Sequence, residues 1–160
     1  MDRLFSPWRY AYVTSQKAEG GCALCRLGAA DSSADEAGFV VARARHLFVV
    51  LNIYPYNSGH LMIVPYRHAP RLSALDDDVL HELIRLAARV EEALEDAYHP
   101  DGINFGMNLG QSAGAGIADH VHLHAVPRWA GDTNFMTVAG ETRVLPEALR
   151  ATWQRLRGRI

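Results

Sequence analysis

The chain's 160 residues fall within the roughly 100–200 of one domain, and its 49% apolar and 21% charged residues exclude a disordered chain. A formal net charge of −2, with arginines scattered rather than gathered, argues against a polymeric nucleic-acid partner. The first residues lack an apolar signal core and no stretch approaches the ~18 uninterrupted apolar residues of a membrane span, so a cytoplasmic protein without membrane attachment is expected.

In chain order, Gly20 and Gly21 precede Cys22 and Cys25, and residues 28–38 are small and polar. The first thirty-odd residues therefore read as an irregular arm with a tight cysteine turn. A C-x-x-C pair in a reducing compartment is more often a metal clip or a redox pair than a structural disulfide, and partner ligands decide between them. Residues 39–51 are β-branched and aromatic, with a polar patch at Arg43-Ala44-Arg45 that can turn a hairpin between two antiparallel strands. The turn-rich stretch Asn52-Ile53-Tyr54-Pro55-Tyr56-Asn57-Ser58-Gly59 leads into a third, buried strand over residues 60–65, ended by Pro65.

Over residues 76–98, Val79, Leu80, Leu83, Leu86, Ala87, Val90 and Leu94 recur at three- and four-residue steps, the period of an amphipathic helix. Asp76, Asp77 and Asp78 stand in its first turn, where the helix dipole favours anions. His99-Pro100-Asp101-Gly102 stops it. Two further strands, over 103–109 and 120–126, flank a glycine-rich loop at 110–116. A last helix is expected to start near Pro146 and to carry Leu149, Trp153 and Leu156. About five sequential strands with one long inserted helix define an α+β protein. His46, His81 and His99 read as surface or cap residues.

Residues alternate faces along a strand, so His120, His122 and His124 share one face while Val121, Leu123 and Ala125 share the other. One metal ion cannot take all three, because positions i and i+4 of an extended strand lie ~13 Å apart. A neutral imidazole is nucleophilic near pH 7, and phosphorus is a suitable electrophile for it. The glycine-rich loop just upstream can bring backbone N–H groups close to a phosphate.

The run His120-Val121-His122-Leu123-His124-Ala125-Val126 resembles the H-φ-H-φ-H-φ-φ motif, φ being apolar, of the histidine-triad (HIT) nucleotide hydrolases and transferases. The resemblance extends to Asn57-Ser58-Gly59-His60-Leu61-Met62-Ile63-Val64-Pro65, to His68 and to Asn108. It implies a HIT-like fold, a five-stranded antiparallel sheet with a long helix, paired as a homodimer into ten strands. It also implies His122 as the nucleophile on an α-phosphate, His60 as the upstream histidine that closes the site, and His124 as the third triad member. By the same resemblance Asn52 contacts the ribose, Val50 the base, and Asn108 the phosphate of a purine nucleotide or dinucleoside polyphosphate.

Where the family commonly reads Gly-Gln-Ser/Thr before the triad, this chain reads Gly114-Ala115-Gly116-Ile117-Ala118-Asp119. Backbone amides of Ala115, Gly116 and Ile117 are the expected replacement, with Gln111-Ser112 able to compensate if the loop folds back. Whether water or inorganic phosphate completes the reaction stays open. Residues 4–13 and 127–136 resemble the bacterial branch that contains diadenosine-tetraphosphate phosphorylases, with Trp129 stacking on a base, on a partner subunit or in the core. Resemblance to zinc-containing members and to galactose-1-phosphate uridylyltransferases implies that Cys22, Cys25, His68 and His120 hold a structural zinc. The implied organisation is one domain over 1–160: an arm with the zinc turn (1–37), a core (38–136) and a C-terminal helix (137–160). A nucleotide-binding adaptor with little turnover, and a disulfide oxidoreductase built on the C-x-x-C pair, are the competing readings.

Overall fold

The computed structural model describes residues 21–132 and 147–160. The stretch 4–13, the end of 127–136, the helix start near Pro146 and the boundary at 136/137 fall outside these residues.

Five strands form one antiparallel sheet: β1 (Val40–Arg43), β2 (Leu47–Leu51), β3 (Leu61–Pro65), β4 (Gly102–Gly106) and β5 (Leu123–Arg128). Their spatial order is β1-β2-β3-β5-β4. The expected hairpin joins β1 to β2, with Ala44 N–H donating to the Leu47 carbonyl across the turn. The long helix, labelled α3 once the two short N-terminal helices are counted, spans Asp77–Tyr98, and His99 closes it in the left-handed conformation just before Pro100.

Alternation along the strands explains the layers. Leu47, Val49 and Leu51 of β2, Leu61 and Ile63 of β3, and Leu123 and Ala125 of β5 face α3, where Val79, Leu83, Leu86, Val90 and Leu94 meet them. The C-terminal helix α4 (Leu149–Leu156) adds Trp153 and Leu156 to the same core. On the opposite face Phe48, Val50 and Val64 form a second cluster with Leu24, flanked by Leu27, Met62, Tyr66 and Ile117. The histidines lie on this second face, whose cover is thin and comes from the N-terminal segment and the glycine-rich loop.

Two expectations need correction. The cysteine segment is no irregular arm: Cys22 caps helix α1 (Ala23–Ala29), and a 3-10 turn (Ser32–Ala34) and helix α2 (Asp35–Gly38) follow. The apolar pair Leu24 and Leu27 gives seven residues one buried side, too short a pattern to outweigh the surrounding glycines. The fifth strand also starts later than expected, at Leu123 rather than His120. Upstream, Val121 N–H donates to the Ala69 carbonyl and the His120 carbonyl receives a side chain, so neither group joins a ladder. The strand over 103–109 is likewise Gly102–Gly106.

Candidate active site

His122 is buried, 7% exposed. Its Nδ1 lies 2.8 Å from the His120 carbonyl oxygen, an acceptor, so Nδ1 carries the proton and Nε2 keeps its lone pair. Burial pushes its pKa below the ordinary imidazole value, against the opposing pull of that same hydrogen bond. The ring is therefore held neutral in one tautomer.

His60 and His124 form a second relay. Tyr56 N–H donates to His60 Nδ1 at 3.0 Å, which makes that nitrogen an acceptor and puts the His60 proton on Nε2. His60 Nε2 then donates to His124 Nδ1 at 2.9 Å, so a neutral His124 carries its own proton on Nε2. The His122 and His124 rings meet edge to face, their centroids 4.8 Å apart.

A cavity of about 130 Å³ opens at these rings. Among its walls are the expected Val50, Asn52, Asn108, Gly116, Ile117, His122 and His124. Asn52 also accepts from Tyr54 N–H through Oδ1, the local turn its residue type favours. A second opening of about 610 Å³ shares Tyr56, Asn108, Gly114 and His124 with the first and runs out past Ser112 and Arg128. Ala115 is a correction: it is buried, and its N–H donates to the Gly110 carbonyl, leaving no donor for a phosphate. Trp129 lies outside both cavities, edge-on to Tyr98.

Sequence reasoning missed Leu24, Leu27, Tyr56 and Met62, which also line the first cavity. Tyr56 had a signal, a turn position four residues before His60. Met62 had the strand alternation that pairs it with Val64. Leu24 and Leu27 needed the helix that the glycines concealed.

Cys22, Cys25, His68 and His120 converge on one point, their ligand atoms all within 4.8 Å of one another. Cys22 Sγ and His120 Nδ1 are 3.3 Å apart, Cys25 Sγ and His68 Nδ1 3.3 Å, and Cys25 Sγ and His120 Nδ1 3.5 Å. Thiolate and imidazole ligands of one tetrahedral zinc, at ~2.3 and ~2.1 Å, stand ~3.5 Å from each other, so the donor set fits that ion. His120 Nε2 donates to the Pro65 carbonyl at 2.8 Å, which turns the Nδ1 lone pair toward the cluster. Both cysteines are free thiols.

The fold and site together define an antiparallel α+β protein with alternate histidines presented to a cleft under a glycine-rich loop. The HIT domain model matches residues 34–131, and the chain belongs to the HIT family. It is 48% identical over 118 residues to the AP-4-A phosphorylase of Mycobacterium tuberculosis, covering 74% of this chain and 60% of that protein. A bis(5'-adenosyl)-triphosphatase of Dictyostelium discoideum is 33% identical over 81 residues, 51% of this chain and 54% of that one. The chain thus spans less than two thirds of either relative's length. Among solved structures, a zinc-bound histidine triad family protein from Mycobacterium smegmatis superposes with TM-score 0.69 at 25% identity, covering 87% of this chain and 92% of that one. Among the described residues no helix is long and apolar enough to cross a membrane.

Proposed function

We propose that the chain is a nucleotidyl-transfer enzyme that cleaves dinucleoside polyphosphates at the α-phosphorus through a covalent nucleotidyl-histidine on His122. The observation that carries this reading is the 2.8 Å bond from His122 Nδ1 to the His120 carbonyl, which leaves Nε2 as a neutral nucleophile. With diadenosine tetraphosphate, Nε2 attacks the α-phosphorus and a P–N bond forms. The bond from that phosphorus to the bridging oxygen breaks, and ATP departs as its anion while the departing oxygen accepts a hydrogen bond from His124 Nε2. An acceptor then attacks the nucleotidyl-histidine, the P–N bond breaks with its electron pair returning to His122 Nε2, and the acceptor's proton passes to solvent. Water as acceptor yields AMP; orthophosphate yields ADP.

In this reading the base enters beside Val50, Asn52 serves the ribose, and Asn108, Gly116 and Ile117 surround the phosphate. The second opening receives the leaving half. Cys22, Cys25, His68 and His120 would hold zinc, which supplies a cross-link only, since four protein ligands leave no position for substrate. A cysteine pair kept reduced for a metal suits a reducing compartment, the cytoplasm. One domain comprising arm, core and C-terminal helix, paired into a homodimer along β4, completes the reading.

Phosphorolysis rather than hydrolysis is favoured by the 48% identity to a protein named AP-4-A phosphorylase. One assay of diadenosine tetraphosphate with and without inorganic phosphate separates the two by product, ADP plus ATP against AMP plus ATP. His122→Ala should lower turnover at least ~10³-fold while leaving the AMP dissociation constant within about threefold. Undiminished turnover in that variant overturns the assignment, and wild-type binding without turnover leaves an adaptor.

A further inference from the structure

The cysteine cluster and the first cavity share their walls. Helix α1 supplies Cys22 and Cys25 to the cluster, and the residues between and after them, Ala23, Leu24 and Leu27, to the cavity. On the opposite wall His120 belongs to the cluster, while its carbonyl fixes the ring of His122. The four ligands therefore knot together two sides of one pocket.

How α1 is fastened shows what the knot does. Seven residues are too few for a helix to hold by itself in water. At its C-terminal end, Arg43 donates to the carbonyls of Leu27 and Gly28 at 3.2 and 3.1 Å, and is itself clamped by Asp35. In its first turn Leu24 is 2% exposed against Phe48, Val50 and Val64. At the N-terminal end Cys22 occupies the cap position with no side-chain hydrogen bond to the helix; its sulfur faces His120 instead. The first turn is thus held on one side by Leu24 in the core and on the other by the cluster at Cys22, next to Ala23 in the cavity wall.

We propose that metal occupancy of the Cys22–Cys25–His68–His120 cluster and nucleoside binding in the cavity are thermodynamically coupled through the first turn of α1. The coupling rests on the cavity being a nucleotide site, as proposed above. A metal that fixes Cys22, and with it Ala23, prepares the wall against which the base packs, and a bound base in turn holds the two thiols in ligating position. Such coupling is reciprocal, so each ligand tightens the other by the same factor.

The test uses zinc-loaded protein under a phosphine reductant. Calorimetry first measures AMP binding, and the chelator concentration that strips half the zinc is then determined with no ligand, saturating adenosine, saturating AMP or inorganic phosphate. Adenosine and AMP should each raise that midpoint about tenfold, within the usual range of coupling, and phosphate should leave it unchanged. AMP binding to the stripped protein should weaken by the same factor. An unshifted midpoint with adenosine bound overturns the coupling, as does phosphate matching AMP, which would route it through His122 alone. Purified protein that takes up no zinc overturns it too. Loss of the whole far-ultraviolet helical signal on stripping does the same, because the coupling would then run through global unfolding. Failure of AMP to bind the zinc-loaded protein removes the nucleotide reading itself along with the coupling.

Discussion

Gly59, immediately before His60, has φ +78°, and a Cβ there would meet Tyr98 Cε2 at 3.1 Å, Pro127 Cγ at 3.2 Å and Leu94 Cδ2 at 3.3 Å. Both the backbone angle and the close approach call for glycine. Gly59→Ala should cost about 1–3 kcal/mol of stability, measured by urea denaturation. Because the loop sets the His60 ring, turnover should fall by about tenfold with little change in AMP affinity. An alanine variant as stable and as active as wild type would show that the loop relaxes freely. At this scale the sequence carried residue types and spacing: the histidine alternation, the C-x-x-C pair and the turn formers of residues 52–59. It did not carry tautomers, because the groups that set them, the His120 carbonyl and Tyr56 N–H, belong to the backbone and have no residue-type signature.

Helix α4 is held to α3 by Glu147, just before its start. Glu147 accepts from Tyr98 Oη at 2.5 Å, from Thr152 Oγ1 at 2.9 Å and from Arg155 at 2.7 Å. Burial pushes its carboxyl pKa up, but the bonds from Tyr98, Arg155 and Thr152 outweigh that and leave it below the ordinary value of 4.5. Burial, then the hydrogen bond to Glu147, raises the Tyr98 phenol, which stays protonated. In acid the unfolded chain binds the proton more readily than the folded one, so stability rises with pH through this window. The contribution is complete above about 4.5 and fades as pH falls through the lower folded value. Glu147→Gln should therefore cost about 1–2 kcal/mol at pH 7, with the difference from wild type shrinking by pH 3. An equal difference at both pH values would mean that the charge is irrelevant to the anchor.

The elements themselves were legible where their period ran long. Helix α3 buries six apolar residues along its 22, and the β1–β2 hairpin shows dense β-branched residues, so both appear with nearly their observed bounds. Helix α1 was hidden because glycines bracket two turns, and β5 was read three residues early because alternate side chains continue past the last ladder bond. The Tyr98–Glu147 pair, 49 residues apart, has no local pattern at all.

For the whole molecule, the two sheet edges differ. On the β1 side Trp153 Nε1 donates to the Val40 carbonyl at 2.7 Å, and α4 covers the strand. On the other side, among the described residues, β4 pairs with β5 alone, all but one of its five residues are exposed, and Phe105 presents 38% of its surface. An unprotected edge with an exposed aromatic invites another strand. A second copy meeting β4 to β4 would extend the sheet to ten strands, and the first tenant of that edge would be its own symmetry mate. The chain should then sediment at twice 17.7 kDa. Phe105→Glu would face its own counterpart near a two-fold axis, setting two like charges in a drying interface, and should shift the protein to monomer at micromolar concentration. Since no residue of β4 lines the first cavity, AMP binding to that monomer should stay within about threefold of wild type. A wild-type chain that sediments as a monomer would remove the edge pairing, and a dimeric Phe105→Glu would move the interface elsewhere.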